Sequence, residues 1–264
     1  MDLNSLFSLK GRVALVTGGS RGIGRMIVEG YLAAGCERVY ISARKVDQIE
    51  QTIAELGDRV IGLPADLSTV EDCNSLAHQI AEREEKLDIL VNNAGAAWGA
   101  DYGSFPESGW DRTMDLNVKG LFFLTQALHG TMKNAATFER PAKIINIASI
   151  DGIKINPWQT YAYQASKAAV IHLTRRLAAE LAPQNILVSG IAPGAFPSDM
   201  NKVARDHEAA VGKNVPFARV GTTEDMAGLA IFLAARSGDY ICGDTIACDG
   251  GVAYSSLPGQ GIQP

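Results

Sequence analysis

The sequence predicts an α/β fold in which a doubly wound parallel β-sheet is flanked by helices on both faces. Three observations support this fold class. The 264 residues are 47% hydrophobic and 20% charged, which suits one large domain. Short apolar runs alternate with longer amphipathic stretches, as repeated strand–helix–strand units require. The apolar runs contain few polar residues, which indicates parallel strands covered on both faces.

The elements follow from this alternation. Strands are predicted over 12–17, 38–42, 60–63, 88–92, 142–147, 186–191 and 244–247. Helices are predicted from 22 to 34, from the second strand to about 56, and over 70–84, 108–127, the stretch that carries Tyr163 and ends near 181, and 223–235. We expect a single domain over 1–264, with a mobile substrate lid over 195–221, the least regular segment. The turn-rich tail over 255–264 is expected to be flexible or to pack on a partner subunit.

Composition excludes several classes of function. The net charge is −5 and the basic residues form no block longer than a pair, so we expect no nucleic-acid partner. The four cysteines form no C-x-x-C pair and lack a nearby histidine, so we expect no metal site and a reducing compartment. No secretory signal or membrane-spanning run is visible, and a cytoplasmic location without membrane attachment is expected.

A glycine-rich turn follows the first predicted strand. Residues 17–24 read T-G-x-x-x-G-x-G, a pattern that includes Gly18, Ser20, Arg21, Gly22, Ile23 and Gly24. Glycines let a backbone approach a pyrophosphate, and the N-terminus of the following helix directs free N–H groups at the anion. The turn therefore predicts dinucleotide binding, although a purely structural turn has the same composition.

The end of the second strand bears on which dinucleotide binds. An acidic residue there would bind the 2′-hydroxyl of NAD(H). Residues 42–45 are Ser, Ala, Arg and Lys, without a carboxylate. Arg44 and the loop residue Arg21 can instead bind a 2′-phosphate, which favours NADP(H). The alternative is that the Arg44 region is only a solvated helix start.

Tyr163 and Lys167 are four residues apart on a predicted helix, so their side chains share one face. A nearby ammonium would lower the pKa of the tyrosine phenol and suit it to proton transfer. Ser149 ends the preceding strand and could hold a substrate oxygen beside the phenol. Asn117 is polar among apolar helical positions and could anchor a water that relays protons to Lys167. The alternatives are a loop-start hydroxyl for Ser149 and a side chain bonded to backbone for Asn117.

These motifs together resemble the short-chain dehydrogenase/reductase family over nearly the whole chain. Further family motifs are N-N-A-G at 92–95, P-G at 193–194 and D-G-G at 249–251. The resemblance implies a Rossmann-type sheet and a tetrad of Asn117, Ser149, Tyr163 and Lys167. In that tetrad the tyrosine is the acid for reduction and the base for oxidation. The lysine lowers the pKa of that tyrosine and binds the nicotinamide ribose, and the serine orients the carbonyl.

The resemblance also implies cofactor contacts and a homotetramer. Asp66 and Leu67 are expected at the adenine, although Asp66 could equally cap a helix. The other expected cofactor residues are Asn93, Ala94, Gly95, Pro193, Gly194, Phe196 and Ser198, with Tyr163 and Lys167.

Within the family, the stretches 17–24, 87–100 and 191–198 are most similar to 3-oxoacyl reductases of the rhamnolipid-associated branch. Expected substrate contacts are Trp98, Ser149, Ile150, Asp151, Trp158, Tyr163 and Phe196. The loops that carry them are apolar and aromatic, although both tryptophans could be core or interface residues. The predicted reaction interconverts a small-molecule ketone and a secondary alcohol, the ketone being a 3-oxoacyl compound or a bulky apolar or aryl ketone. The alternative is a non-catalytic NADP(H)-binding sensor.

Overall fold

A seven-stranded sheet forms the centre of the computed structural model, which describes residues 1–255. Its strands are β1 (Val13–Thr17), β2 (Arg38–Ala43), β3 (Val60–Pro64), β4 (Ile89–Asn92), β5 (Ala142–Ile147), β6 (Ile186–Pro193) and β7 (Thr245–Cys248). Their order is β3-β2-β1-β4-β5-β6-β7, and every neighbouring pair is parallel. The predicted doubly wound, Rossmann-type fold is confirmed.

Helices connect the strands. They are α1 (Leu3–Leu6), α2 (Gly22–Ala33), α3 (Val46–Leu56), α4 (Val70–Ala81), α5 (Glu107–Met114), α6 (Leu121–Ala127), α7 (His129–Ala135), α8 (Tyr161–Leu181), α9 (Lys202–Asp206), α10 (Glu208–Gly212) and α11 (Thr223–Ala234). Over residues 1–255, none of these helices has the length and apolar character needed to cross a membrane.

The sheet separates two hydrophobic layers. Successive strand side chains point to opposite faces, so Leu15 packs with residues of α4 and α8, and Val16 packs with residues of α2 and α11. Strands buried on both faces need the apolar runs seen in the sequence.

The site is located by the order of the strands. From β1 the chain moves outward to β3, then returns to place β4 on the other side of β1. The connections at the carboxyl ends of β1 and β4 therefore diverge and leave a crevice, the usual ligand position in such sheets. Thr17 ends β1 and Asn92 ends β4 at this crevice.

The region 108–127 differs from the single helix predicted. It consists of α5, a π-helical turn over Asp115–Gly120, and α6. A side chain at Gly120 would overlap the carbonyl oxygen of Leu67, so this glycine permits close approach to the loop before α4. Helices α1, α7, α9 and α10 were also not predicted. The expectations for residues 256–264 of the tail lie outside the described residues.

Candidate active site

The glycine loop is joined directly to the end of β4. The Thr17 hydroxyl accepts hydrogen bonds from the backbone N–H groups of Asn93 and Ala94, both at 2.9 Å. The Asn93 side-chain amide donates to the carbonyl oxygens of Thr17 at 2.8 Å and Gly18 at 3.3 Å. The two segments predicted to bind the dinucleotide are therefore held together before any ligand binds.

The glycines of this loop are needed for its shape. Gly18 has a φ of 66° and Gly22 a φ of 54°, in the left-handed region that favours glycine. A Cβ on Gly24 would overlap the Gly18 carbonyl oxygen and lie 2.5 Å from Asn93 Nδ2. The N-cap residue Arg21 makes no side-chain capping bond to α2, so its side chain leaves the helix N-terminus to an anion. The loop fits the dinucleotide that the sequence predicts.

Both predicted phosphate-binding arginines face carboxylates. Arg21 Nη1 lies 2.8 Å from Asp199 Oδ2, and Arg44 Nη1 lies 3.8 Å from Asp66 Oδ2. All four side chains are about half exposed, so these ion pairs are weak.

The Gly18 N–H donates to the Ser42 carbonyl oxygen at 2.7 Å, which holds the ends of β1 and β2 together.

Tyr163 and Lys167 lie on the first two turns of α8, and Ser149 follows β5. The Ser149 hydroxyl lies close enough to the Tyr163 phenol to lower the pKa of that phenol by hydrogen bonding. Lys167 Nζ lies 5.6 Å from the centre of the Tyr163 ring and donates to the Ile147 carbonyl oxygen at 2.8 Å. A Cβ on Gly95 would lie 3.7 Å from Lys167 Nζ, so the N-N-A-G segment also reaches this site. The structure thus brings the predicted tyrosine, serine and lysine together.

Burial controls the titration of both catalytic candidates. It lowers the pKa of Lys167 to about 8, an effect that the Asp151 carboxylate opposes. Burial also raises the pKa of Tyr163 to about 12, while the hydrogen bond with Ser149 lowers it and Asp151 raises it. The expectation that the Tyr163 pKa lies below its ordinary value is therefore wrong, because desolvation of the phenolate outweighs the hydrogen bond with Ser149.

Asn117 lies in the π-helical turn and is 2% exposed. Its side chain accepts from the Ala96 N–H at 2.8 Å, and donates to the Ala96 carbonyl oxygen and the Ser166 hydroxyl, both at 2.9 Å. The Ser166 hydroxyl in turn donates to the Tyr163 carbonyl oxygen at 2.7 Å. These bonds favour the alternative, a side chain bonded to backbone, and they attach the 96 loop to α8.

The predicted adenine contacts lie between β3 and α4. Asp66 Oδ1 accepts from the Ser68 N–H at 3.3 Å, whereas the Thr69 side chain caps α4. The alternative that Asp66 is the helix cap is therefore excluded. Leu67 is buried, and its carbonyl oxygen faces Gly120.

The residues after β6 pack closely. Gly194 touches Asp249, since a Cβ there would lie 2.6 Å from Asp249 Cβ. Phe196 is 2% exposed and packs in the core against Gly221, which leaves it little surface for a ligand. The Ser198 hydroxyl accepts from the Asn201 N–H at 3.1 Å.

The two tryptophans have different surroundings. Trp98 packs against Gly109 of α5, with the Arg112 guanidinium 5.8 Å from its ring centre. Trp158 is 65% exposed. Of the two tryptophans predicted to contact the substrate, Trp158 therefore offers the larger free aromatic surface.

No cluster of side chains suited to a metal ion occurs among residues 1–255. The four thiols are free, Cys36 and Cys73 being buried and Cys242 exposed.

Three positioning contacts were not found in the sequence. They are the Thr17 bridge to β4, the Ser166 link to Asn117, and the Asp199 partner of Arg21. Each joins residues 49 or more positions apart. Of Thr17, Ser166 and Asp199, only Thr17 belongs to a sequence motif that could have indicated its role, because it is the first residue of the glycine pattern.

The fold and the site define a class of protein, the α/β oxidoreductases with a dinucleotide loop at the strand switch point. The model of the family described as short chain dehydrogenase matches residues 12–209. This chain belongs to that family.

Individual relatives span nearly the full chain. The rhamnolipids biosynthesis 3-oxoacyl-[acyl-carrier-protein] reductase of Pseudomonas aeruginosa is 47% identical over 255 residues, covering 94% of this chain and 99% of the relative. The 2-dehydro-3-deoxy-D-gluconate 5-dehydrogenase of Dickeya dadantii is 36% identical over 258 residues, covering 95% and 98%. The solved active-site complex of Pseudomonas aeruginosa RhlG with NADP aligns with a TM-score of 0.90 at 45% identity, covering 94% of this chain and 99% of that one.

Proposed function

We propose that this protein is an NADP(H)-dependent reductase that converts a ketone to a secondary alcohol, and catalyses the reverse reaction. The observation that carries the proposal is the convergence of Tyr163, Ser149 and Lys167 beside the N-N-A-G segment, which is bonded to the glycine loop. A buried lysine without a carboxylate within 4.0 Å, among the described residues, is unfavourable for folding and typical of a functional site.

Tyr163, Ser149 and Lys167 have different roles in the proposed proton transfer. NADPH supplies the hydride to the carbonyl carbon when it is bound. Tyr163 donates the phenolic proton to the carbonyl oxygen, and the raised pKa of the phenol keeps that proton in place near neutral pH. Ser149 positions the oxygen by a hydrogen bond. The Lys167 ammonium stabilises the phenolate that remains, and it would hold a ribose hydroxyl of the cofactor.

Preference for NADP(H) is supported by the charges at the cofactor loop. The end of β2 has no carboxylate, and Arg21 and Arg44 lie at the loop and after β2. A 2′-phosphate would have to compete with Asp199 for Arg21, which an exposed ion pair permits. A structural relative was solved with NADP.

The substrate is proposed to be a 3-oxoacyl compound or a bulky apolar or aryl ketone. The exposed indole of Trp158 and the side chain of Ile155, 87% exposed, lie in the loop between β5 and α8 and offer apolar surface. One relative is named for 3-oxoacyl reduction.

We also propose one domain with a substrate lid over 195–221. Both hydrophobic layers share one sheet. The Gly221 N–H donates to the Ala195 carbonyl oxygen at 2.9 Å, which closes the base of the lid, while Asp199 connects it to Arg21.

A panel assay tests the function. Consumption of NADPH and NADH is followed with 3-oxoacyl thioesters, 3-oxo esters, aryl ketones and cyclic ketones. We expect turnover of at least one class with a preference for NADPH. Preference for NADH would contradict the roles of Arg21 and Arg44. Inactivity on every acyl thioester would exclude the proposal that the substrate is a fatty-acyl compound. Cofactor binding with no turnover of any ketone would favour the sensor.

A further inference from the structure

Asp151 places a carboxyl group beside the proposed proton donor. It lies in a 3₁₀ turn, Ile150–Gly152, directly after Ser149, and its N–H donates to the Ser149 hydroxyl oxygen at 3.1 Å. Gly152 fixes the turn against α8, because a Cβ there would lie 2.6 Å from the backbone carbon of Lys167 and 2.7 Å from the Ala168 nitrogen. The position of Asp151 relative to Tyr163 and Lys167 is thus set by close backbone packing.

The carboxyl group itself is held by a polar neighbour. Asn156 lies close enough to the carboxyl group to lower its pKa by hydrogen bonding, and Asn156 Oδ1 accepts from the Trp158 N–H at 2.8 Å and from Gln164 Nε2 at 3.2 Å. The carboxylate is therefore part of a network that spans the loop between β5 and α8. This loop also presents the apolar side chains proposed to contact the substrate.

The charge of Asp151 is not cancelled by an ion pair. Among the described residues no lysine, arginine or histidine nitrogen lies within 4.0 Å of its carboxylate, although Lys167 and Tyr163 are close enough for their titration to respond to it. The residue is partly buried, so solvent screens its charge less than it would on the surface.

We propose that Asp151 is a specificity-determining residue that restricts the site to ketones without a carboxylate near the reacting carbonyl. The inference rests on the proposed function and names its substrate class, uncharged oxo esters, oxo thioesters and simple ketones. A like charge in a partly buried site discriminates by repulsion, without any new contact to the favoured substrate. The proposal therefore predicts poor activity in the sugar-acid reaction for which one relative is named.

Matched ketone pairs test the proposal. Each pair differs only in the carboxylate: a 4-oxo acid with its methyl ester, and a 3-oxo acid with its methyl ester. We expect the wild-type kcat/KM to favour the ester by about tenfold or more, as an unscreened like charge several ångströms away allows. Asp151→Asn should reduce this ratio about tenfold, chiefly by raising kcat/KM for the acid, and Asp151→Glu should keep it. An unchanged ratio in Asp151→Asn would overturn the proposal.

A binding measurement tests the proposal if the Asp151→Asn variant loses turnover. If Asp151→Asn folds but does not reduce ketones, the dissociation constants of the product hydroxy acid and its methyl ester are measured on the NADP complex of wild type and variant. The acid should bind about tenfold more tightly to the variant, relative to the ester. An equal ratio in both proteins would refute the role of Asp151. Failure of the proposed function is distinct, since wild type would then reduce neither member of any pair.

Discussion

Lys167 shows how a single residue can be unfavourable for folding and useful for chemistry. The residue is 5% exposed, and its amine bonds to a backbone carbonyl oxygen instead of a carboxylate. Burial without a paired acid disfavours the ammonium and lowers the pKa to about 8. The charge that the proposed mechanism needs is therefore present near neutral pH and is lost in mildly alkaline solution.

This gives a pH-dependence prediction. For NADPH with a saturating ketone, kcat/KM should decline above about pH 8 as Lys167 loses its proton, while Tyr163, with a pKa of about 12, stays protonated. Because the Asp151 carboxylate raises the Lys167 pKa, Asp151→Asn should shift the decline to lower pH. The measurement is a pH–rate profile of both proteins.

The exposed Asp58→Asn is the control for that profile and should leave it unchanged. A shift to higher pH in Asp151→Asn would contradict the assigned sign of the interaction.

At the scale of the elements, close packing at Gly24 fixes the conformation of the glycine loop. Gly24 lies on the first turn of α2 with no space for a side chain, whereas Gly228 lies in α11 with nothing within 4 Å of the Cβ position. The same substitution therefore has opposite consequences in the two helices.

Gly24→Ala should weaken NADPH binding at least tenfold and lower the melting temperature, because the methyl group must displace the Gly18 carbonyl or Asn93. Gly228→Ala should leave binding unchanged and stabilise the protein by about 0.4–1 kcal/mol. Calorimetric titration with NADPH and thermal unfolding measure both. Normal NADPH affinity in Gly24→Ala would show that the loop does not hold the pyrophosphate as proposed.

The strands and the long helices were predictable from sequence because their signals are local. An unbroken apolar run marks a strand covered on both faces, and the spacing of Tyr163 and Lys167 fixes a shared helix face. The π-helical turn carries no local signal, and the bonds that Asn117 makes there with Ala96 and Ser166 join residues far apart in the sequence. The ion pair of Arg21 with Asp199 was equally hidden, since 178 positions separate the two residues.

For the whole molecule, the sheet determines where the chemistry can occur. The carboxyl ends of β1, β4 and β5 lie side by side, so one crevice receives the glycine loop, the N-N-A-G segment and Ser149. The amino ends carry structural charges instead, such as the buried Lys143 with Asp239 at 2.7 Å.

The assembly is predicted to be a homotetramer, as the family resemblance implies. Large apolar side chains at the surface, including Tyr102 and Trp110 near α5, give area for association. Sedimentation equilibrium should give four times the chain mass of 28.1 kDa. A mass that remains at one chain across micromolar concentrations would contradict the prediction.

The central claim is that Tyr163 donates the proton in a ketone reduction with NADPH, and Tyr163→Phe tests it most directly. The substitution removes one hydroxyl, with its interaction with Ser149, and keeps the aromatic ring, so NADPH should bind with the wild-type dissociation constant. The rate of NADPH oxidation with a ketone that the wild type reduces should fall by about 10²–10⁴-fold. Normal turnover by this variant would contradict the account.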